Sequence, residues 1–210
     1  VSKHLMNNLK AIYILLVFCL FSCKKSTELK TEKATLNKTE IDTSKRYQRI
    51  NIPYYENGEL VGENEAYVSK KKDTFWNTWL FYKKGVIDSS KSKFFDFNIT
   101  GNKKDSILKG KITIYSPADS IPKSKISSRE ITLVFLQKEN DSVITKEIKS
   151  EKSTIEFDYK NFENYGFEGF IMDLRFFKLD STSEKLLLNR NYFALDTKLS
   201  TNNVFVELLE

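Results

Sequence analysis

Two scarcities limit the chemistry open to this chain. His4 is the single histidine, and Cys19 and Cys23 are the two cysteines of the 210 residues. All three lie in the first 23 positions, so residues 24–210 hold no imidazole and no thiol. A disulfide, a Cys/His zinc site, a cysteine nucleophile and a Ser-His-Asp triad each need one of these groups. Proton transfer there falls to carboxylates, and Glu163, Glu168, Asp173 and Asp180 gather in one stretch. Hydrolysis of a glycosidic bond needs two carboxyl groups roughly 5–10 Å apart across an open cleft. Acidic residues at strand ends more often only face water. The expectation is a non-enzymatic protein, with a carboxylate-based glycan hydrolase as the alternative. No Asp-x-Asp-x-Asp-Gly run offers calcium its cluster of oxygens. Neither a metal nor another cofactor is expected.

Binding is the better use of what remains. Trp76, Trp79 and Tyr82 are the candidate ligand-binding residues, because large rings with a polar edge suit a sugar or a protein partner. Trp76 and Trp79 are three apart, and strand alternation puts them on opposite faces. One is expected to pack inward while the other meets solvent.

Short apolar-aromatic runs, separated by polar turns, must position these rings. Sixteen Phe and ten Tyr favour strands. The predicted strands are 47–55, 63–69, 74–82, 91–100, 109–116, 130–137, 142–149, 154–159, 170–179, 186–195 and 204–209. Glu56-Asn57-Gly58-Glu59 reads as a tight hairpin turn, since Asn-Gly accepts positive φ. Lys70-Lys71-Lys72-Asp73 and Lys83-Lys84-Gly85 read as further turns, and 117–128 as a polar loop. Phe95, Phe97 and Ile99 share one face, as do Ile155, Phe157 and Tyr159. The run 131–136 is apolar on both faces and predicts an interior strand. A short helix over 183–188 is the weaker alternative there. Strand signals every 8–15 residues predict an all-β fold, an antiparallel β-sandwich preceded by N-terminal hairpins. An apolar content of 40% can supply its core without disulfides.

Within the hairpin part, Tyr55, Asn57, Gly58, Gly62 and Tyr67, followed by Trp79, Tyr82, Lys84 and Gly85, form a spaced pattern of aromatics and turn glycines. The strip from Tyr54 to Phe95 resembles MORN-variant repeats, although Lys84 stands where the second unit would carry Asn. That resemblance implies protein or lipid contacts and no catalytic residues. It also suggests an immunity or antitoxin-like envelope protein as a further alternative.

The N-terminal stretch has a different character. A basic start, Lys3 and Lys10, precedes the apolar run Ala11 to Phe21 and then Ser22-Cys23. Eleven apolar residues are too few for a spanning helix, which needs roughly 20, but they suit a secretory signal peptide. Leu20-Phe21-Ser22-Cys23 resembles the bacterial lipoprotein signal. The resemblance implies cleavage before Cys23, acylation of that residue and membrane attachment through it. Lys24 and Lys25 after the cysteine lean towards a periplasm-facing protein of the cell envelope.

The expected organisation is therefore a signal peptide (1–22), a lipidated Cys23 with a disordered tether (23–46), a hairpin part (47–100) and a sandwich part (101–210) packed with it. Lys3 and Lys10 carry two of the six net positive charges, leaving +4 on the remainder. That charge is well mixed, with no basic stripe for nucleic acid. The expected partners are the membrane, through Cys23, and an envelope protein or glycan.

Overall fold

The computed structural model describes residues 44–101, 107–140, 142–160, 166–180 and 185–209. Cys23, Glu163 and residues 24–43 of the expected tether lie outside them. Among the described residues the fold is all-β, with twelve strands and three single 3-10 turns. All twelve strands fall in one compact unit, Glu40–Glu210. Among the described residues no helix is long and apolar enough to cross a membrane.

The first sheet grows from two tight turns. Strands β1 (Tyr47–Glu56) and β2 (Glu59–Ser69) meet at Asn57 and Gly58, with φ of 51° and 83°. Both central residues are left-handed, as the turn that matches strand twist requires. Glu56 therefore pairs directly with Glu59, and β2 starts four residues before its predicted position. β3 (Thr74–Lys83) and β4 (Val86–Ile87) repeat the device at Lys84 and Gly85, with φ of 53° and 74°. A two-residue strand, Ser200–Thr201, completes this antiparallel sheet on the other side of β1. Beside it, the Arg46 N–H donates to Asn202 Oδ1 at 3.0 Å and the Arg46 guanidinium pairs with Glu207. The two ends of the described fold thus lie side by side.

The other strands form two facing sheets. One contains β5 (Phe94–Thr100), β6 (Leu108–Tyr115) and β9 (Thr154–Tyr159), in that order. Sequence grouped β5 with the hairpins, but its ladder is with β6. The second sheet runs β11 (Leu186–Asp196), β10 (Glu168–Lys178), β7 (Ile126–Glu139), β8 (Ser142–Ser150). β7 is an interior strand, as its two apolar faces predicted.

Between these sheets lies the main core, built from residues such as Ile112, Ile131, Leu133, Phe135, Phe157, Ile171 and Leu195. Phe167 sits among the rings of Phe97, Tyr159, Phe135 and Phe157, at centroid distances of 4.9, 5.0, 5.3 and 5.6 Å. Burying each such side chain contributes roughly 1.5–3 kcal/mol, which replaces the stabilisation a disulfide would give. A smaller core joins the first sheet to β11 through Tyr47, Tyr67, Phe75, Ala194 and Val206.

Two predictions need correction. Residues 204–209 form no strand; they hold the 3-10 turn Val206–Leu208. The cause is Asn203, whose Oδ1 accepts from Phe205 N and whose Nδ2 donates to Leu195 O, each at 3.0 Å. Such side chain–backbone bonds compete with a sheet ladder. Likewise 186–188 is strand, not helix. β10 turns its less apolar side inward. Its alternating Phe170, Met172, Leu174 and Phe176 are the outward, half-exposed set, while Gly169, Ile171, Asp173 and Arg175 are buried.

Candidate functional site

The first sheet carries a shallow open concavity of about 930 Å³. Tyr54, Phe81 and Tyr82 supply rings, and Glu56, Asn64, Asp88 and Lys91 supply polar groups. Local sequence explains its shape. Gly62 lines it without a side chain; a Cβ there would stand 3.1 Å from Leu80 O. Beside that glycine the register shifts, Tyr54 pairing with Gly62 but Tyr55 with Leu60, so Val61 is an extra residue that bends β2, as bulges do. Asn64 Nδ2 donates to the Tyr54 hydroxyl at 3.2 Å and fixes the ring. The rim from Asp88 to Ser92 is pinned to β3: Asp88 N donates to Phe81 O at 2.8 Å, and Phe81 N donates to Ser92 Oγ at 2.9 Å. Hydrogen bonds from Ser90 hold the Asp88 carboxyl below its usual range, so it presents an anionic acceptor. Burial, with Glu63 nearby, pushes the Tyr82 hydroxyl up, so at neutral pH it stays a donor.

The three predicted aromatic residues divide. Tyr82 lines the concavity. Trp76, 45% exposed, lies outside its lining. Trp79 is half-buried under Lys93, whose Nζ is 4.8 Å from the Trp79 ring centroid and 4.7 Å from that of Phe193. Two backbone hydrogen bonds of 2.9 Å join Trp79 and Lys93. The split in exposure is the one strand alternation predicted. Lys93 itself is only 5% exposed, and burial lowers its pKa to about 8.

The acidic stretch does not assemble into a catalytic pair among the described residues. Asp173 is buried between two guanidinium groups. Arg129 approaches its two oxygens at 2.9 and 3.0 Å, and Arg175 Nη2 approaches at 2.8 Å. Burial opposes its charge, but the two arginines outweigh it and hold the carboxyl below its ordinary range. Arg175 Nη2 also meets Asp119 at 2.7 Å, which ties the turn Pro117–Ser120 to β10. This is a structural lock. Glu168 and Asp180 flank opposite ends of β10, about 40 Å apart at roughly 3.3 Å per residue. Among the described residues no three His, Cys, Asp or Glu side chains converge as metal ligands would.

Sequence reading missed a second polar network, where the first sheet meets β11. Arg49 Nη2 pairs with Glu65 Oε2 at 2.5 Å, and Arg49 Nη1 donates to Asp196 O at 2.7 Å. Asn77 Nδ2 donates to Glu65 Oε1 at 2.6 Å. Asp196 stands opposite Glu168 in the β10–β11 register. Burial raises its carboxyl to about 6, against hydrogen bonds from Thr201 and Lys198. The one signal for this network was Asn77, a polar residue in the inward slot between Phe75 and Trp79.

Compared with protein-family models, curated proteins and solved structures, the chain matches none. The functional reading therefore rests on the geometry and the sequence.

Proposed function

We propose that the protein is a lipid-anchored, non-enzymatic binding module of the bacterial cell envelope that receives a glycan, or a glycan-like face of an envelope protein, on the first sheet. The concavity carries the reading. Tyr54, Phe81 and Tyr82 offer ring surface, while Asn64, Asp88 and Lys91 offer donors and acceptors at its edge. Sugars present that same mixture of C–H faces and hydroxyls. The open shape suits a polymer passing over the sheet better than a small enclosed ligand. The sequence from Leu20 to Cys23 supports the anchor. Each buried acyl methylene contributes about 0.8 kcal/mol, and two or more chains hold a protein stably at a membrane.

Two experiments test this. Titration calorimetry of residues 40–210 against solubilised envelope glycan should show binding that falls at least tenfold in Tyr82→Ala and Phe81→Ala. Trp76→Ala should bind as wild type. Equal binding by all three variants would remove the concavity from the reading. Cys23→Ser in the full chain should abolish fatty-acid labelling and move the protein out of the membrane fraction.

A further inference from the structure

β11 is the outermost strand of the second sheet, and its free edge is covered only at one end. There Asn77 takes both backbone groups of Ala194, and Arg49 takes Asp196 O. In an antiparallel ladder the N–H and C=O of every second residue turn to the same edge. Leu186, Leu188 and Arg190 therefore turn theirs outward, in line with Ala194. Among the described residues no donor or acceptor meets these groups.

Most of the devices that blunt such an edge are missing here. The stretch 186–192 holds no Pro and no Gly, and its pairing with β10 runs without a register shift. Leu186 and Leu188 are 51% and 45% exposed. A straight, open edge with exposed leucines is a template for another strand.

The side chains say what kind of strand. Consecutive residues alternate in face, so Leu186, Leu188 and Arg190 share one face while Leu187, Asn189 and Asn191 share the other. Asn191 Nδ2 donates to Asn189 Oδ1 at 2.9 Å, which satisfies that second face within the chain. Arg190 is exposed and forms no ion pair among the described residues. Glu130, in the same row two strands away, is held by Lys149 at 3.1 Å. Opposite charges and apolar pairs directly across a ladder stabilise it. The edge therefore fits an extended segment with an acid opposite Arg190 and apolar residues opposite Leu188 and Leu186. A second copy of β11 does not meet that demand, because 186–195 contains no acid.

We propose that the open edge of β11 takes up an extended acidic-apolar segment of a partner protein as an added strand. The segment lies antiparallel to Leu186, Leu188 and Arg190 and continues the ladder that Asn77 begins at Ala194. Main-chain bonds supply the affinity, and alternate side chains supply the choice of partner. This surface is separate from the concavity and needs no lipid anchor.

The test uses residues 40–210, the compact unit that holds all twelve strands, and the capped peptide Thr-Glu-Thr-Val-Thr-Val-Thr. Set antiparallel, its Glu meets Arg190 and its two Val meet Leu188 and Leu186. Amide exchange followed by NMR should be fast at Leu188 and Arg190 in the free protein and at least tenfold slower with the peptide bound. A peptide with Lys in place of Glu should bind wild type at least fivefold more weakly and recover on Arg190→Glu. Leu188→Pro removes an outward N–H and leaves the bonds to β10, a change that edge strands tolerate. It should abolish peptide binding. Should that variant unfold, the charge exchange at Arg190 still decides.

Slow exchange at Leu188 and Arg190 in the free protein, no peptide binding by wild type, or no recovery in the charge exchange would each overturn the proposal. So would concentration-dependent dimers that Leu188→Pro abolishes, because a second copy would then fill the edge. Glycan titration of Arg190→Glu should be unchanged, so failure here is distinguishable from failure at the concavity.

Discussion

Asn77 and Ala194, 117 positions apart, exchange a complete pair of hydrogen bonds. Ala194 N donates to Asn77 Oδ1 at 2.7 Å, and Asn77 Nδ2 donates back to Ala194 O at 3.0 Å. The side-chain amide occupies the place of a neighbouring peptide on the outer edge of β11. Arg49 does the same for Asp196 O, two residues on. The first sheet thus closes an edge that would otherwise invite pairing with another chain. Asn77→Ala strands a buried donor and a buried acceptor, each costing about 1–3 kcal/mol. The expected outcome is a loss of about 2–4 kcal/mol in a urea melt. Asn77→Asp should be worse, since a carboxylate cannot donate to Ala194 O and would repel Glu65.

Asp196 should make stability fall as pH rises. Its folded value of about 6 lies above its ordinary value of 3.8. The folded state therefore holds the proton more tightly. The associated stability is full below about pH 4 and is lost through about pH 6. At 1.36 kcal/mol per unit, the change is about 2–3 kcal/mol. Asp196→Asn keeps an Oδ1 acceptor for the Lys198 N–H. Urea midpoints of this variant should lack that part of the wild-type slope between pH 4 and 6 and exceed wild type at pH 7.

Lys93 has the opposite sign. Burial lowers it from 10.5 to about 8, so below that value the fold holds a charge it disfavours. Stability from this group rises as pH climbs from about 8 towards 10.5. Lys93→Met keeps the stem between Trp79 and Phe193 and adds favourable sulfur–ring contacts. A gain of about 1–2 kcal/mol at pH 7 is expected after the lost cation–π contact is counted, shrinking towards zero at pH 10. A gain over wild type no larger at pH 7 than at pH 10 would contradict it.

Gly110 is covered by a ring. A Cβ there would stand 2.2 Å from Phe157 Cζ, and the two residues are register partners across β6 and β9. Gly110→Ala must push the Phe157 ring out of the main core, at about 1–3 kcal/mol for overpacking. Phe157→Leu should partly rescue Gly110→Ala in a double-mutant cycle, because the shorter side chain leaves room.

What sequence disclosed followed from locality. Turns such as Asn57-Gly58 announce themselves through two adjacent residues, and alternation in β5, β6 and β9 is visible within six. Which face of β10 turns inward was hidden because its outward side is at least as apolar as its inward one. An inward Asp173 and Arg175 look solvated until Arg129, 44 positions earlier, closes the lock. Arg49, Glu65 and Asp196 meet Asn77 only through tertiary packing, and each of the three occupies a slot that polar residues ordinarily fill. The concavity depends on a bulge beside Gly62, and single-strand patterns do not record where a pairing slips. Tyr82 was within reach because it sits on a strand rich in rings; Tyr54 and Phe81 were not singled out.

Arg46, Asn202 and Glu207 bring the first and last strands to one corner of the molecule. Closely placed termini generally tolerate circular permutation. A short Gly-Ser bridge from Leu209 to Ser44, with new ends opened at Lys71-Lys72, should leave the core pairings in place. Such a permutant would enter the fold through β3, with β1 and β2 made last. It would show whether the sandwich can assemble before the sheet that closes its edge.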